Sequence, residues 1–171
     1  MATAKVNLSA LEAVPLTNPS KIKIGLVVSE WNKNITNNLL EGAISALKEN
    51  KISEENIIIH RVPGTFELPL GAQYLLENNL VHGVITIGCV IQGETKHFDF
   101  VCQGATQGIV QVGLRYNKPV SFCVLTDENE QQSIDRSGGK HGNKGIECAI
   151  SCLKMIQLKE EIAKPTSNIG F

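Results

Sequence analysis

The sequence comprises 171 residues, of which 42% are hydrophobic and 19% are charged, and its formal net charge is −1. This length and hydrophobic content predict one folded domain with a sizeable core rather than a disordered chain. The near-neutral charge gives no indication of nucleic-acid binding, and no apolar stretch approaches the ~20 residues of a membrane span. The first twenty residues lack the basic start and apolar core of a secretory signal, so we expect a cytoplasmic protein.

The cysteines do not form a disulfide framework or a zinc motif. Their number is odd and no C-x-x-C spacing occurs, so no metal site is predicted. We expect them to be reduced and to act as small core residues, with the exception of Cys89, which lies beside a glycine-containing turn. The five are Cys89, Cys102, Cys123, Cys148 and Cys152.

Strands and helices alternate after an N-terminal arm formed by residues 1–20. Prolines interrupt regular structure in the arm, and its apolar residues that could still pack are Val6, Leu8, Leu11 and Val14. Apolar runs predict strands at Ile22–Val28, Asn56–Val62, Gly83–Ile91 and Val120–Thr126. Periodicity predicts helices from a cap at Asn34 or Thr36 to about Asn50, over about Glu67–Asn79, His97–Asn117 and Glu128–Ser137, and from a loop at 138–143 to about Lys164.

This alternation predicts the α/β class, with parallel strands joined by right-handed crossovers. The strands are nearly continuous apolar runs, which is typical of a sheet covered on both faces. Ligands of such open sheets bind beyond the carboxyl ends of the strands. The loops at that edge are Ser29–Asn34, Pro63–Glu67, Cys89–His97 and Thr126–Glu130.

The third of these loops has the features of an anion site. It belongs to the stretch Gly88–Asp99, which follows the buried run Val84–Ile87 and carries Thr95 at the start of a predicted helix. Amide groups at a helix N-terminus point outward with partial positive charge, which suits phosphate. His97 lies within about one helical turn of that position, where an imidazole could carry protons near neutral pH.

The other loops offer groups with two interpretations each. Trp31 beside Asn32 could stack on a planar ring or simply pack, and Glu67 could bind a polyol or act as a first-turn helix acid. Arg136 and Lys144 could bind phosphate, although a lone arginine is often a surface charge. His60 and His82 are expected to be structural or solvated, and His141 could be either. The residues alone indicate an α/β enzyme or binding protein for a phosphorylated small molecule.

Several segments between about Lys23 and Leu158 occur in the order and spacing of a known family. They are Ser29–Asn32, Val62–Pro69, Gly88–Asp99, Asp127–Asn129 and Arg136–Gly145, the last ending in Gly-Asn-Lys-Gly. On these motifs the chain resembles the lumazine synthases of riboflavin biosynthesis. The resemblance implies a flavodoxin-like, three-layer αβα sandwich over residues 21–171, with a four-stranded parallel sheet and the arm packed on a neighbouring subunit.

The resemblance also implies a reaction that needs no cofactor. In that family 5-amino-6-(ribitylamino)uracil condenses with 3,4-dihydroxy-2-butanone 4-phosphate to give 6,7-dimethyl-8-ribityllumazine, phosphate and water. His97 would transfer protons, and Glu94, Thr95 and Arg136 would bind the butanone phosphate. The residues implied to bind the ribitylaminouracil are Trp31, Asn32, Thr65, Phe66, Glu67, Cys89, Val90, Ile91, Phe122 and Lys144.

The resemblance places the site between subunits, with Phe122, Arg136 and Lys144 reaching in from a neighbour. It implies pentamers, and the short 138–143 loop favours a shell of sixty subunits. Riboflavin synthase is a candidate partner. The chain departs from the family in having Trp31 where phenylalanine is common, and Glu94 puts a carboxylate near the phosphate. The alternatives are a non-catalytic flavin or lumazine carrier and a purely structural shell protein.

Overall fold

The structure is a computed structural model that describes residues 7, 9, 13–78 and 80–163. Its main sheet contains β1 (Ile24–Ser29), β2 (Ile57–Val62), β3 (Gly83–Ile91) and β4 (Val120–Asp127). The helices are α1 (Lys33–Glu49), α2 (Leu68–Glu77), α3 (His97–Tyr116), α4 (Glu130–Arg136) and α5 (Lys144–Ala163). Single turns of 3₁₀ helix cover Pro19–Lys21, Glu54–Asn56 and Thr65–Glu67, and a short antiparallel pair is formed by β5 (Ser137–Gly139) and β6 (Gly142–Asn143).

The four main strands are parallel and lie in the order β2-β1-β3-β4. Alternate side chains of β1 enter different cores: Leu26 packs with α1 and α5 on one face, and Val27 packs with α2 and α3 on the other. Because each face of a sheet must be covered, this arrangement gives three layers of helix, sheet and helix. The predicted α/β fold with a four-stranded parallel sheet is therefore confirmed.

The predicted caps of α1 are wrong. The residue that precedes the helix is Asn32, in the left-handed conformation with φ 53°, and its side chain makes no cap hydrogen bond. Asparagine tolerates this conformation better than most residues. Its amide instead donates to the carbonyl oxygen of Cys89, at 3.0 Å. The residue expected to lie in a loop thus connects the end of β1 to the end of β3.

The strand β2 differs from the expectation of a buried apolar run. In the part of the chain that the structure describes it pairs only with β1, and its residues are half-buried or exposed, including Ile59. An edge strand keeps one row of backbone N–H and C=O groups without a partner in the sheet, which makes it a place where another strand can add.

The segment predicted as a loop at 138–143 contains the β5–β6 pair. It leads into α5 through Asn143, whose amide donates to the carbonyl of Asn38 and whose oxygen accepts the N–H of Gly145. A Cβ atom at Gly145 would meet the carbonyl oxygen of Leu39 at 1.9 Å, so only glycine allows α1 and α5 to approach this closely. This contact explains the Gly-Asn-Lys-Gly sequence structurally.

The end of the N-terminal arm that the structure describes packs on this chain's own core. Val14 is buried there, and its N–H donates to the side chain of Asn50 at 2.7 Å. Three of the arm's predicted packing residues, Val6, Leu8 and Leu11, lie outside the described residues. Within the described ranges, no helix is both long enough and apolar enough to cross a membrane.

Candidate active site

A cleft of about 650 Å³ opens at the carboxyl ends of β1 and β3. This is the point where the strand order reverses, since β1 is followed by β2 on one side and β3 lies on the other. Open α/β sheets bind ligands at such a switch point. The residues that line the cleft are Trp31, Asn32, Gly64, Thr65, Phe66, Glu67, Cys89, Val90, Ile91, His97, Phe100 and Val101.

One wall of the cleft is the backbone of β3. The register of β3 with β1 ends at the pair Val28 and Ile87, whereas its register with β4 continues to Ile91. Residues 89–91 therefore have a strand partner on the β4 side only. The carbonyl of Cys89 on the open side accepts the Asn32 amide, while the N–H of Gln92 bonds to β4. Because successive residues of a strand alternate between neighbours, the N–H and C=O of Ile91 face the open side.

Two aromatic side chains stand on the walls with most of their surface exposed. Trp31 is 69% exposed and Phe66 is 59% exposed, although both are large apolar groups. The ring of Phe66 lies over Gly104 of α3, where a Cβ atom would come within 2.5 Å of it. Exposed aromatic faces beside a backbone edge suit a planar heterocycle, because offset stacking adds to the burial of apolar area.

A hydroxyl group in the cleft wall has no hydrogen-bond partner among the described residues. Thr65 is only 5% exposed, and its Oγ1 makes no such bond. It occupies the space left by Gly88, where a Cβ atom would meet it at 2.8 Å. A buried hydroxyl without a partner is costly. Because Thr65 is one of the residues that line the cleft, this cost points to a ligand oxygen or nitrogen as the missing partner.

The same loop presents a carboxylate. Glu67 is half-buried, ends the 3₁₀ turn before α2, and forms no ion pair within the described part of the chain. Its oxygen lies 3.0 Å from the position that a Cβ atom of Gly64 would take, so Gly64 leaves room for it.

The loop from Gln92 to Lys96, which we call the anion turn, lies at the rim. All five of its residues are exposed, and no atom lies within 4 Å of the position that a Cβ atom of Gly93 would take. His97 begins α3, and its N–H donates to the Thr95 hydroxyl at 3.4 Å. The N–H groups of Asp99 and Phe100 bond to the carbonyl of Lys96. The N-terminus of this 20-residue helix thus lies against the turn, beside an exposed imidazole.

Three predicted residues lie away from this chain's own cleft. The Arg136 guanidinium donates to the Gln132 carbonyl within α4, and Lys144 forms an ion pair with Glu147 at 2.6 Å. Phe122 lies opposite Thr86 in the sheet and packs against the core on the α2 and α3 side. Their contribution from a neighbouring subunit stays a prediction, as do the roles of Glu94 and Thr95 in the anion turn.

Some lining residues were not singled out from the sequence. Phe100 and Val101 follow His97 by three and four positions, so the helical repeat of α3 places them on the same face. That spacing was a usable signal. Gly64 was quoted only as part of a motif, and its role is to leave space for Glu67.

The cysteines are all free, and four of them are buried. Burial raises the pKa of the Cys89 thiol, although a hydrogen bond with Ser133 opposes this. Burial also raises the pKa of Cys152, to about 12. Across the described ranges, no three or more His, Cys, Asp and Glu side chains converge in a way that could hold a metal ion.

The fold and cleft define a flavodoxin-like α/β protein whose cleft places exposed aromatic side chains beside an open strand edge and the N-terminus of a helix. The family model described as 6,7-dimethyl-8-ribityllumazine synthase matches residues 21–160, and the chain belongs to this family. Three similar proteins carry that name. The protein from Flavobacterium johnsoniae is 52% identical, and the match covers 94% of this chain and 85% of that protein. The protein from Cytophaga hutchinsonii is 53% identical, and the one from Parabacteroides distasonis is 49% identical. Each of these matches covers 91% of this chain and 98% of the relative.

Proposed function

We propose that this protein condenses 5-amino-6-(ribitylamino)uracil with 3,4-dihydroxy-2-butanone 4-phosphate to give 6,7-dimethyl-8-ribityllumazine, phosphate and water. The observation that carries the proposal is the convergence of three chain segments on one cleft, which brings Trp31, Thr65 and Ile91 together with His97. This arrangement offers a stacking face, a polar floor, a backbone edge and a proton carrier within reach of two small reactants. Much of the rate acceleration then comes from holding the two reactants together.

The uracil ring would lie between the aromatic walls with one edge against β3. The N–H and C=O of Ile91 match the adjacent C=O and N–H groups on a uracil edge, so two hydrogen bonds can form at once. Trp31 and Phe66 would cover the ring faces. The Thr65 hydroxyl and the Glu67 carboxylate would then bond the ring or the ribityl hydroxyls, which supplies the partner that Thr65 lacks among the described residues.

The butanone phosphate would bind at the anion turn. The backbone amides of Glu94 and Thr95 would supply neutral donors next to the positive end of the α3 dipole. Arg136 from a neighbouring subunit would add a guanidinium, whose fork matches two phosphate oxygens. The exposed Glu94 carboxylate can turn toward water, away from the phosphate.

Proton transfer would fall to His97, which stands between the ring wall and the anion turn. Imine formation between the ring amino group and the ketone releases water and needs a proton on the departing oxygen. Elimination of phosphate takes a proton from carbon and leaves an enol, which a proton returned to carbon converts into a ketone. Attack of the ribitylamino nitrogen on that ketone closes the ring and releases a second water. An imidazole titrates near neutral pH, so it can serve as the acid in some of these steps and the base in others.

The proposed assembly is a pentamer as the smallest active unit and a shell of twelve pentamers as the complete particle, in the cytoplasm. Large exposed apolar side chains support self-association, among them Leu114 of α3 and Ile162 of α5, which line one groove. The open edge of β2 could receive a neighbour's arm. Riboflavin synthase, which would consume the product, is the proposed partner.

The decisive experiment mixes the purified protein with both substrates and follows the lumazine by its absorbance and fluorescence, with phosphate release measured in parallel. Equal amounts of lumazine and phosphate, dependent on the protein, are expected. A protein that turns yellow with bound flavin or lumazine but releases no phosphate would establish the carrier instead. Sedimentation separates the assemblies: a species of 18.6 kDa would contradict a site shared between subunits, and a pentamer without larger forms would contradict only the shell.

A further inference from the structure

A buried chain of hydrogen bonds runs from the cleft wall into α4. The Cys89 thiol donates to the Ser133 hydroxyl at 3.3 Å, and that hydroxyl donates to the Asp127 carboxylate at 2.7 Å. Ser133 is fully buried, Cys89 nearly so, and Asp127 is 8% exposed. Burial raises the pKa of Cys89, so at neutral pH the thiol keeps the proton that it donates. None of these bonds is used by the proposed chemistry.

The two residues at the ends of this series of hydrogen bonds, Cys89 and Asp127, belong to different parts of the site. Cys89 belongs to the wall that faces the ring, and Asp127 ends β4 beside Ile91. The backbone carbonyl of Asp127 also accepts the N–H of Gln92, the first residue of the anion turn, at 2.9 Å. One residue therefore holds the anion turn through its backbone and α4 through its side chain.

The helix that Ser133 belongs to needs such an anchor. α4 has seven residues, and a helix of two turns is not stable by itself. Its N-terminus is capped by the Asn129 side chain, but Ser133 is its only buried residue. Arg136 ends the helix, and its guanidinium returns to the carbonyl of Gln132 in the same helix. The position of the Arg136 side chain thus depends on where Ser133 holds α4.

We propose that Ser133 is a positioning residue for the phosphate: through Asp127 and Cys89 it fixes α4, and through α4 it fixes Arg136. This inference rests on the proposed phosphate-binding role of Arg136. Ser133 itself touches no substrate. Its loss should therefore weaken the interaction that Arg136 makes and have less effect on the uracil side of the site.

The test is a double-mutant cycle on the assembled enzyme, with KM measured for each substrate while the other is saturating. Ser133→Ala is expected to raise the KM of the butanone phosphate roughly three- to tenfold, and more than the KM of the uracil. In an Arg136→Ala background the same substitution should add less than about twofold, since the residue it positions is gone. Ser133→Thr, which keeps the hydroxyl, should restore the wild-type KM.

Two further variants keep the test decisive. Ser151→Ala removes a helical hydroxyl that bonds to its own helix, and it serves as the matched control. If Ser133→Ala does not fold because the Asp127 carboxylate loses its donor, Ser133→Ala with Asp127→Asn removes that charge as well and should show the same defect. Equal KM increases for both substrates, or an undiminished effect without Arg136, would overturn the inference. An Arg136→Ala variant with a normal phosphate KM would instead refute the proposed function of Arg136.

Discussion

The Thr65 hydroxyl has no hydrogen-bond partner among the described residues. Its removal should therefore raise the stability of the free protein and lower its affinity for the uracil. In Thr65→Val a methyl group replaces the hydroxyl with little change of shape. The free protein then no longer buries a polar group without a partner, a cost of roughly 1–3 kcal/mol. Because Thr65 is 5% exposed, most of that cost applies, and we expect a gain of about 1 kcal/mol in the free energy of unfolding. In a domain of this size that corresponds to a rise in Tm of about 2–4 °C.

Substrate binding should change in the other direction. If the hydroxyl bonds to the ribitylaminouracil, its loss removes a neutral hydrogen bond worth about 0.5–1.5 kcal/mol. The Kd of the uracil should therefore increase roughly 2- to 12-fold. Calorimetric titration with the uracil measures this directly, and a thermal melt of the same sample measures the stability. The KM of the butanone phosphate should change much less.

Ser29 provides the matched control. Its hydroxyl is also buried and also has no partner within the described ranges, but Ser29 does not line the cleft. Ser29→Ala should therefore raise the free energy of unfolding without weakening uracil binding. A lower Tm for Thr65→Val would mean that the hydroxyl is bonded in the free protein. An unchanged Kd would mean that it does not contact the uracil, and either result would refute the argument.

Three more predictions concern catalysis, the shared site and pH. His97→Ala should lower the single-turnover rate by about 10²-fold or less, because proximity carries much of the catalysis; an unchanged rate would remove His97 from the mechanism. Mixed oligomers of His97→Ala and Arg136→Ala should regain activity, since some interfaces hold both intact residues; no recovery after verified mixing would place both residues in one subunit's site. Burial raises the pKa of Cys152 from 9.0 to about 12, so above pH 9.0 only the unfolded thiol loses its proton and stability falls as pH rises. Denaturant titrations over that window should give wild type a slope about 1.4 kcal/mol per pH unit steeper than Cys152→Ala, and equal slopes would contradict the assignment.

The sheet could be predicted from the sequence because its strands are short apolar runs separated by periodic helices. The bounds of β3 agree with the prediction, while those of the other elements differ by a few residues. The misjudged parts have local physical causes. Asn32 has a left-handed backbone conformation, and its side-chain amide donates to the carbonyl of Cys89. Helix-cap patterns in the sequence do not predict such a contact. The exposure of β2 depends on its edge position, which follows from strand order rather than from its own residues.

The position of the cleft could also be predicted, because the loops at the carboxyl ends of parallel strands meet at one edge of the sheet. The sequence did not predict that β3 extends beyond the end of its pairing with β1, because strand register depends on how whole strands pack. The link from Cys89 through Ser133 to Asp127 was equally hidden. Cys89 lies 44 positions from Ser133 in the sequence, and each of the three residues alone has an ordinary interpretation as a core or helix residue.

The offset between β1 and β3 also bears on how such a site can evolve. The edge offered by Ile91 consists of main-chain groups, which every amino acid except proline supplies. In the proposed binding mode, point mutations would therefore change the recognition of the ring edge little, whereas the faces of the ring would be covered by the replaceable side chains Trp31 and Phe66. Substitutions at Trp31 and Phe66 would then change the affinity for planar molecules, while the same ring edge would still bond to the backbone of Ile91.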